Sequence, residues 1–388
     1  MSPEKLPPPT WVATDQSLQH LTGELSRQTS LAVDTESNSL HAYREQVCLI
    51  QFSFPQTDFL VDPLALGDLA PLAPVFADAS IEKVFHAVEY DLICLKRDFG
   101  FSVANLFDTM QAARILGYKQ VGLDAMLALK LGIKVDKRYQ KADWARRPLT
   151  PELLSYARLD THYLLELRAV LKDELHARGR WELADEEFAR LARGNVSVKP
   201  EIPAWQRIGG TQKFNDQQLA ILQELVSWRE AQAARMNRPM FKVMDDKRLA
   251  SIAEAAPQSL GQLEELELTP RQVQIYGKEL IRAVAQGRQS RPARRSQPVR
   301  PDDAALNRLD ALGEWRKRTA EKMGVESDIV LPKAFMHALA ERNPHTLDEL
   351  AALMPDSPWR LSQFGPELLA LLSATPTQRN RPFPKKAK

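Results

Sequence analysis

Cysteine is almost missing from this chain: its 388 residues include two, Cys48 and Cys94, each inside an apolar run. Their scarcity excludes a disulfide framework and any zinc site built on cysteine, and it fits core thiols in a reducing compartment. Long apolar runs are missing too. No stretch of about eighteen apolar residues occurs, and no basic start followed by a leader-like apolar core opens the chain, so the expectation is a cytoplasmic protein with no membrane association. Neither sign of charge dominates, since 52 Lys and Arg stand against 50 Asp and Glu. What is present is ordinary for a soluble globular protein, with 44% hydrophobic and 26% charged residues. The length suffices for two or three domains and a sizeable core in at least one.

The stretch that stands out is LAVDTESNSL, where an apolar run ends in Asp34-Thr35-Glu36 and then in turn formers. In a β-strand, residues two apart share a face, so Asp34 and Glu36 stand side by side while Thr35 points away. Adjacent carboxylates repel each other, and a hard divalent cation with oxygen ligands is the natural counter-charge. An isolated D-x-E is more often a strand end with two solvated acids. Its neighbours decide between the two.

Before it, a short extended segment leads into a helix starting near Asp15 or Ser17. After it, EQVCLIQFSF and TDFLVDP alternate like strands around a turn, which predicts an antiparallel meander of three strands. A helix near 67–79, the strand EKVFHAV, the helix EYDLICLKRDFG, the strand VANLFDTM and then helices to about residue 192 follow. Strands first paired as hairpins and then joined through helices predict a mixed sheet flanked by helices.

The Gly- and Pro-rich stretch GNVSVKPEIPAWQRIGG reads as a linker. The remainder is helical in texture and duplicated at a spacing of 87 residues. Leu219, Leu222, Leu225, Trp228 and Arg229 fall on Leu306, Leu309, Leu312, Trp315 and Arg316; one residue further out of step, Tyr276-Gly277 falls on Phe364-Gly365. Each copy predicts about four short helices in a small bundle, with Trp and Leu as core. The copies are separated by AQGRQSRPARRSQPVRPDD and followed by TPTQRNRPFPKKAK. Both segments favour an extended, cationic chain that either tethers or meets phosphates.

Two further carboxylates lie in informative settings. Asp91 occupies the first turns of a helix that follows a strand, where side chains reach over the sheet edge. Tyr156 and Asp160 are i and i+4 on a strongly periodic helix, which stacks a phenol above a carboxylate. Singly, each has a plain structural explanation. Their joint occurrence with Asp34 and Glu36 is far less easily explained that way.

Together these residues resemble the DEDD superfamily of 3′-to-5′ exonucleases. Its D-x-E motif is matched by Asp34 and Glu36, its H-N/A-x-x-x-D motif by His86, Ala87 and Asp91, and its Y-x-x-x-D motif by Tyr156 and Asp160, the tyrosine marking the tyrosine subclass. LFDTMQAARIL, GLDAMLALKLGI and DWARRPLTPELLSYARLD are similar to ribonuclease D, and the duplicated segment resembles the helicase-and-RNase-D C-terminal (HRDC) domain. The resemblance implies an α/β ribonuclease H-like exonuclease domain with a mixed sheet, followed by two all-α HRDC bundles. The expected boundaries are 1–195 for the exonuclease, 196–212 for a linker, 213–287 and 303–374 for the HRDC domains, 288–302 for the Arg/Pro-rich linker and 375–388 for a basic tail.

It also implies a mechanism. Two Mg²⁺ ions about 4 Å apart, for which Mn²⁺ can substitute, activate a water and stabilise the leaving 3′-oxygen of a phosphodiester. On motif position, Asp34 bridges both ions, Glu36 and Asp160 complete the water-activating site, Asp91 supports the other ion largely through water, and Tyr156 orients the attacking water. The product is a nucleoside 5′-monophosphate. Leu40 or His41, just past the first motif, is placed to wedge against the last base. Lys137, Arg138, Lys141, Arg146 and Arg147, just before the third, are placed to hold the incoming backbone, unless they form a solvated face.

The leading reading is therefore an exoribonuclease acting on RNA, with tRNA precursors as the implied substrate. A DNA exonuclease of the same chemistry is the second reading, disfavoured by the lack of a polymerase or helicase module. A non-catalytic nucleic-acid-binding scaffold is the third. Four mutually repelling acids argue against an idle site.

Overall fold

The computed structural model describes residues 6–194, 202–292 and 302–375. Most of the Arg/Pro-rich linker and nearly all of the basic tail lie outside these residues. A six-stranded sheet runs through the first part of the chain in the order β1-β4-β3-β2-β5-β6. Its strands are β1 (Thr10–Val12), β2 (Ser30–Ser37), β3 (Val47–Phe54), β4 (Thr57–Val61), β5 (Glu82–Phe85) and β6 (Leu106–Asp108). The expected meander is present, since β2, β3 and β4 pair antiparallel, while β1, β5 and β6 join in parallel and make the sheet mixed.

The helices of this part are α1 (Asp15–Leu25), α2 (Ala73–Ala77), α3 (Glu89–Phe99), α4 (Thr109–Ile115), α5 (Leu123–Leu131), α6 (Pro151–His162), α7 (Leu164–Ala177) and α8 (Trp181–Ala192). The helix expected over 67–79 is shorter. Pro71 and Pro74 divide it into a 3-10 turn, Ala70–Leu72, and the brief α2, because proline donates no N–H and suits only a first turn.

Alternation along β2 sorts the two cores. Leu31 and Val33 face a cluster that includes Leu21 of α1 and Cys94 and Leu95 of α3. Ala32 faces the opposite cluster with Ala112 of α4, Leu127 of α5, Leu167 of α7 and Phe188 of α8. Further along that same face, Leu49 and Leu60 pack beneath Ala157 of α6 together with Trp144. Both cysteines are buried and free.

The duplicated segment folds as α9 (Asp216–Met236), α10 (Met240–Val243), α11 (Asp246–Ala255), α12 (Leu260–Glu264) and α13 (Pro270–Gln289), and again as α14 (Asp303–Met323), α15 (Ser327–Val330), α16 (Lys333–Arg342), α17 (Leu347–Leu353) and α18 (Pro358–Ala374). The starts Asp216 and Asp303, Met240 and Ser327, and Asp246 and Lys333 each lie 87 positions apart. Each copy repeats a T-shaped ring pair with centroids 5.4 Å apart, Trp228 on Tyr276 and Trp315 on Phe364. Each also repeats a glycine approached closely by a leucine: a Cβ on Gly277 would lie 2.7 Å from Leu260 Cδ2, and one on Gly365 2.9 Å from Leu347 Cδ2. Trp315 is buried in its core, and Trp228 is half-buried against its own.

The described residues form two compact units, and their membership is not the order of the chain. One contains residues 6–37, 47–194 and 302–375, so the second helical copy belongs with the sheet. Arg360 of α18 is fully buried and donates to Glu186 and Glu187 of α8 at 2.5 and 3.0 Å, and Ile329 of α15 joins the core beneath α7 and α8. The other unit contains residues 38–46 and 202–292. There the first helical copy holds the loop between β2 and β3 through Tyr43, whose N–H donates to Asn237 Oδ1 at 3.2 Å and whose hydroxyl donates to Glu230 at 3.3 Å. Among the described residues, no helix is long and apolar enough to cross a membrane.

Candidate active site

Strand β2 ends with Asp34 and Glu36 on the face covered by α6. Helix α6 begins with Thr150 capping the N–H of Leu153 and a proline in its first turn, both favourable starts. Its i, i+4 spacing then stacks Tyr156 and Asp160 on one side. One carboxylate oxygen from each of Asp34, Glu36 and Asp160 lies within 4.8 Å of the others, the single such acidic or His/Cys group among the described residues.

The three acids open into a cavity of about 420 Å³ whose walls also include Thr35, His86, Asp91, Lys137, Gln140 and Tyr156. Asp91 arrives from the other side of the sheet. Thr35 does point away from Asp34 and Glu36, and α3 covers the face it points to, so its hydroxyl donates to Asp91 Oδ1 at 2.5 Å. Thr35 thus takes part in the site, a role that strand alternation alone did not suggest.

Burial and mutual repulsion set the charge state of this group. Desolvation comes first and the neighbouring carboxylates second in raising Asp34 and Glu36 well above the usual range. Burial pushes Asp91 and Asp160 up to about 7. Desolvation, then Asp160 and Glu36, raise the Tyr156 phenol, which therefore stays protonated. Burial lowers the His86 imidazole to about 4, so it is neutral at physiological pH, with Nδ1 2.9 Å from the Thr109 hydroxyl.

This donor set fits a hard divalent cation. All the candidate ligand atoms are carboxylate oxygens, and a cation among them would offset the burial and mutual repulsion that raise these acids. A second sign lies directly across the sheet. Gln51 is fully buried and paired in register with Asp34, and neither atom of its amide has a partner. A polar group left unpaired costs stability unless the completed site uses it.

The structure brings Asp34, Glu36, Asp91, Tyr156 and Asp160 to one cavity. The sequence-expected substrate contacts divide. Lys137 is at the cavity wall, paired with Asp124 at 2.7 Å. Arg138, Lys141 and Arg146 are exposed, with Arg138 pairing to Asp136 at 2.5 Å. Leu40 and His41 lie in the 38–46 loop grouped with the first helical copy, where Leu40 is 39% exposed. Arg147 is engaged within the fold. Its guanidinium grips both oxygens of Asp62 at 2.6 and 2.8 Å and donates to the carbonyls of Cys48 and Trp144 at 2.7 Å, so it is a structural ion pair. Sequence reasoning missed Thr35, Gln140 and Asp124 at the cavity.

Comparison with known proteins agrees with this geometry. Residues 9–176 match the 3′-5′ exonuclease family, and residues 218–284 and 305–372 each match the HRDC domain. The chain is 30% identical over 377 residues to ribonuclease D of Gluconacetobacter diazotrophicus, covering 94% of this chain and 93% of that protein. Among solved structures it is similar to Escherichia coli RNase D, an exoribonuclease involved in structured RNA processing, with a TM-score of 0.69, 27% identity and coverage of 94% and 98% of the two chains. The catalytic core of RRP6 from Trypanosoma brucei is also similar, with a TM-score of 0.64, 30% identity and coverage of 74% and 81%.

Proposed function

The chain belongs to the ribonuclease D family and is a 3′-to-5′ exoribonuclease, and from that premise we propose that it trims the 3′ ends of structured RNA, with tRNA precursors as its substrate. The observation that carries the reading is the convergence of Asp34, Glu36 and Asp160 oxygens within 4.8 Å, in a cavity that Asp91 and Tyr156 also line. Such a group has no use as a solvated surface, because burial raises the cost of every charge in it.

The activity is metal-dependent, and Mg²⁺ is the ion we assign, two per site, with Mn²⁺ able to replace it. Held by these four acids, the ions would lower the pKa of the attacking water and stabilise the leaving 3′-oxygen. Asp34, between Glu36 on its own strand and Asp160 on α6, is the acid suited to serve both ions. Asp91, held by Thr35, would help to hold the second. Tyr156 stays protonated and hydrogen-bonds the attacking water, fixing its direction toward phosphorus. Its ring is kept in place by Trp144, with centroids 6.1 Å apart.

Because the 3′-oxygen leaves, the product is a nucleoside 5′-monophosphate. Lys137 at the cavity wall and the exposed Arg138, Lys141 and Arg146 supply phosphate contacts.

The test is mononucleotide release from a 3′-extended tRNA-like RNA and from single-stranded DNA of equal length, with Mg²⁺ or EDTA, beside Asp34→Asn. Metal-dependent release from RNA that the variant loses by about 10³-fold or more is expected. Release from DNA alone favours the DNA exonuclease, and intact but bound RNA favours a scaffold.

A further inference from the structure

We propose that Asp108 and Thr109 form a clamp that positions Asp91, setting the start of α3 so that this acid reaches the metal centre from the far side of the sheet. Neither residue is among those that line the catalytic cavity. The inference deepens the two-metal reading above and rests on it.

The two side chains come from the LFDT segment at the end of β6, which the catalytic assignment leaves without a role. Parallel pairing sets Asp108 beside Phe85, the last residue of β5. From there the pair holds four successive residues of the turn into α3. Thr109 donates to the Phe85 carbonyl at 3.0 Å and its hydroxyl lies 2.9 Å from His86 Nδ1. The Ala87 N–H donates to Asp108 Oδ1 at 3.1 Å, and the Val88 N–H to Oδ2 at 2.9 Å.

This turn needs holding. Ala87 has φ of +65°, a left-handed conformation that a residue with a Cβ rarely adopts, and it lines the catalytic cavity. Helix α3 has no side-chain cap of its own at Val88. Asp91 follows three residues later, in the first turn, so where α3 starts decides where its carboxylate stands.

A carboxylate is also the chemically specific choice. Asp108 simultaneously caps α4, accepting from Met110 at 2.8 Å and Gln111 at 3.1 Å through Oδ1. Four N–H groups, two from the turn into α3 and two from the first turn of α4, are served by two oxygens, one of them accepting three. An asparagine offers a single acceptor oxygen and turns an amide N–H₂ toward the remaining donor. Capping α4 alone would not require an acid. Moreover, Asp108 is fully buried near Asp91, an unfavourable pairing of like charges that Ser or Asn would avoid. The double grip explains why an acid is there.

The experiment compares the full-length protein with Asp108→Asn, Thr109→Val and Thr109→Ser. Mn²⁺ binding without RNA is measured by calorimetry, the Mg²⁺ dependence of RNA trimming by kinetics, and folding by thermal melting. The expected result is Mn²⁺ affinity lowered and Mg²⁺ half-saturation raised about tenfold in Asp108→Asn, with kcat at saturating Mg²⁺ within about threefold of the parent. Thr109→Val should shift the same way by a smaller factor, and Thr109→Ser, which keeps the hydroxyl, should behave as the parent. Variants that melt earlier yet bind Mn²⁺ with parental affinity would show a purely structural cap and overturn the clamp. Thr109→Val decides the matter if Asp108→Asn does not fold. Failure of the parent protein itself to bind Mn²⁺ is a different result, and it would overturn the two-metal reading and the clamp with it.

Discussion

Replacing Arg360 by Met tests how the second helical copy is held to the catalytic unit. The guanidinium is fully buried and donates to Glu186 and Glu187, and also to the carbonyls of Ile329 at 2.8 Å and Val330 at 3.2 Å. Methionine fills much of the volume but supplies none of these bonds. Glu187 keeps Arg190, whose Nη2 lies 2.5 Å away, and Glu186 keeps the backbone N–H groups of Trp359 and Arg360 at 2.6 and 3.1 Å. Removing one partner of a buried pair costs 3–5 kcal/mol, and the surviving partners argue for about 3. That is roughly a hundredfold in the local opening equilibrium. Hydrogen exchange of the full chain reads it directly: amides of α18 and α15 should exchange about a hundredfold faster, while those of β2 and β3 stay unchanged. The effect should shrink at acid pH. Burial already raises Glu186 above its ordinary value, and without Arg360 it rises further, so below that pKa the carboxyl is neutral and the penalty is relieved. Exchange in α18 unchanged at both pH values would refute this reasoning and assign the docking to apolar contacts such as Ile329 and Trp359 alone.

Tyr156→Phe removes only the hydroxyl, and kcat should fall about 10²-fold with Mn²⁺ affinity unchanged; a variant at full speed would dismiss the water-orienting role. In EDTA, the raised pKa values of Asp91 and Asp160 stabilise the fold below their unfolded values near 4, and this contribution is lost as pH rises through about 7. Melting at pH 8 should therefore lie below melting at pH 5.5, with Mg²⁺ recovering the difference, whereas equal melting temperatures in EDTA would speak against the cluster. Arg147→Ala should cost roughly 3 kcal/mol in urea unfolding, because Asp62, at 5% side-chain exposure, loses its charge partner and keeps the Leu64 N–H at 3.0 Å. Lys137→Ala should instead leave stability within about 0.5 kcal/mol and raise KM for RNA. The reverse pattern would return Arg147 to the substrate path.

Local periodicity explains what was legible in the sequence. Asp34 and Glu36 share a strand face, Tyr156 and Asp160 share a helix face, and the 87-residue spacing carried over into helix starts. Each is a rule about neighbours in the chain. What was missed depends on partners far away in sequence. Arg147 looked like one more cation in a basic stretch because Asp62 lies 85 residues earlier. Asp108 drew no attention because two of its donors, Ala87 and Val88, lie about 20 residues earlier in the chain. Thr35 was correctly aimed away from the acids, but only the packing of α3 brings Asp91 to meet it. Glu186 and Glu187 were not singled out, because their partner Arg360 lies more than 170 residues further along.

The interleaving of the two units has a consequence for how the chain is made. Glu186 and Glu187 leave the ribosome about 170 residues ahead of Arg360. At roughly 5–20 residues per second the wait is about 9–35 s. Throughout that interval α8 presents two acids and an apolar seam without their cover, while the first helical copy is synthesised and gathers in the loop after β2. The catalytic unit is the earlier to begin and the later to finish, so its assembly is timed by its last helix.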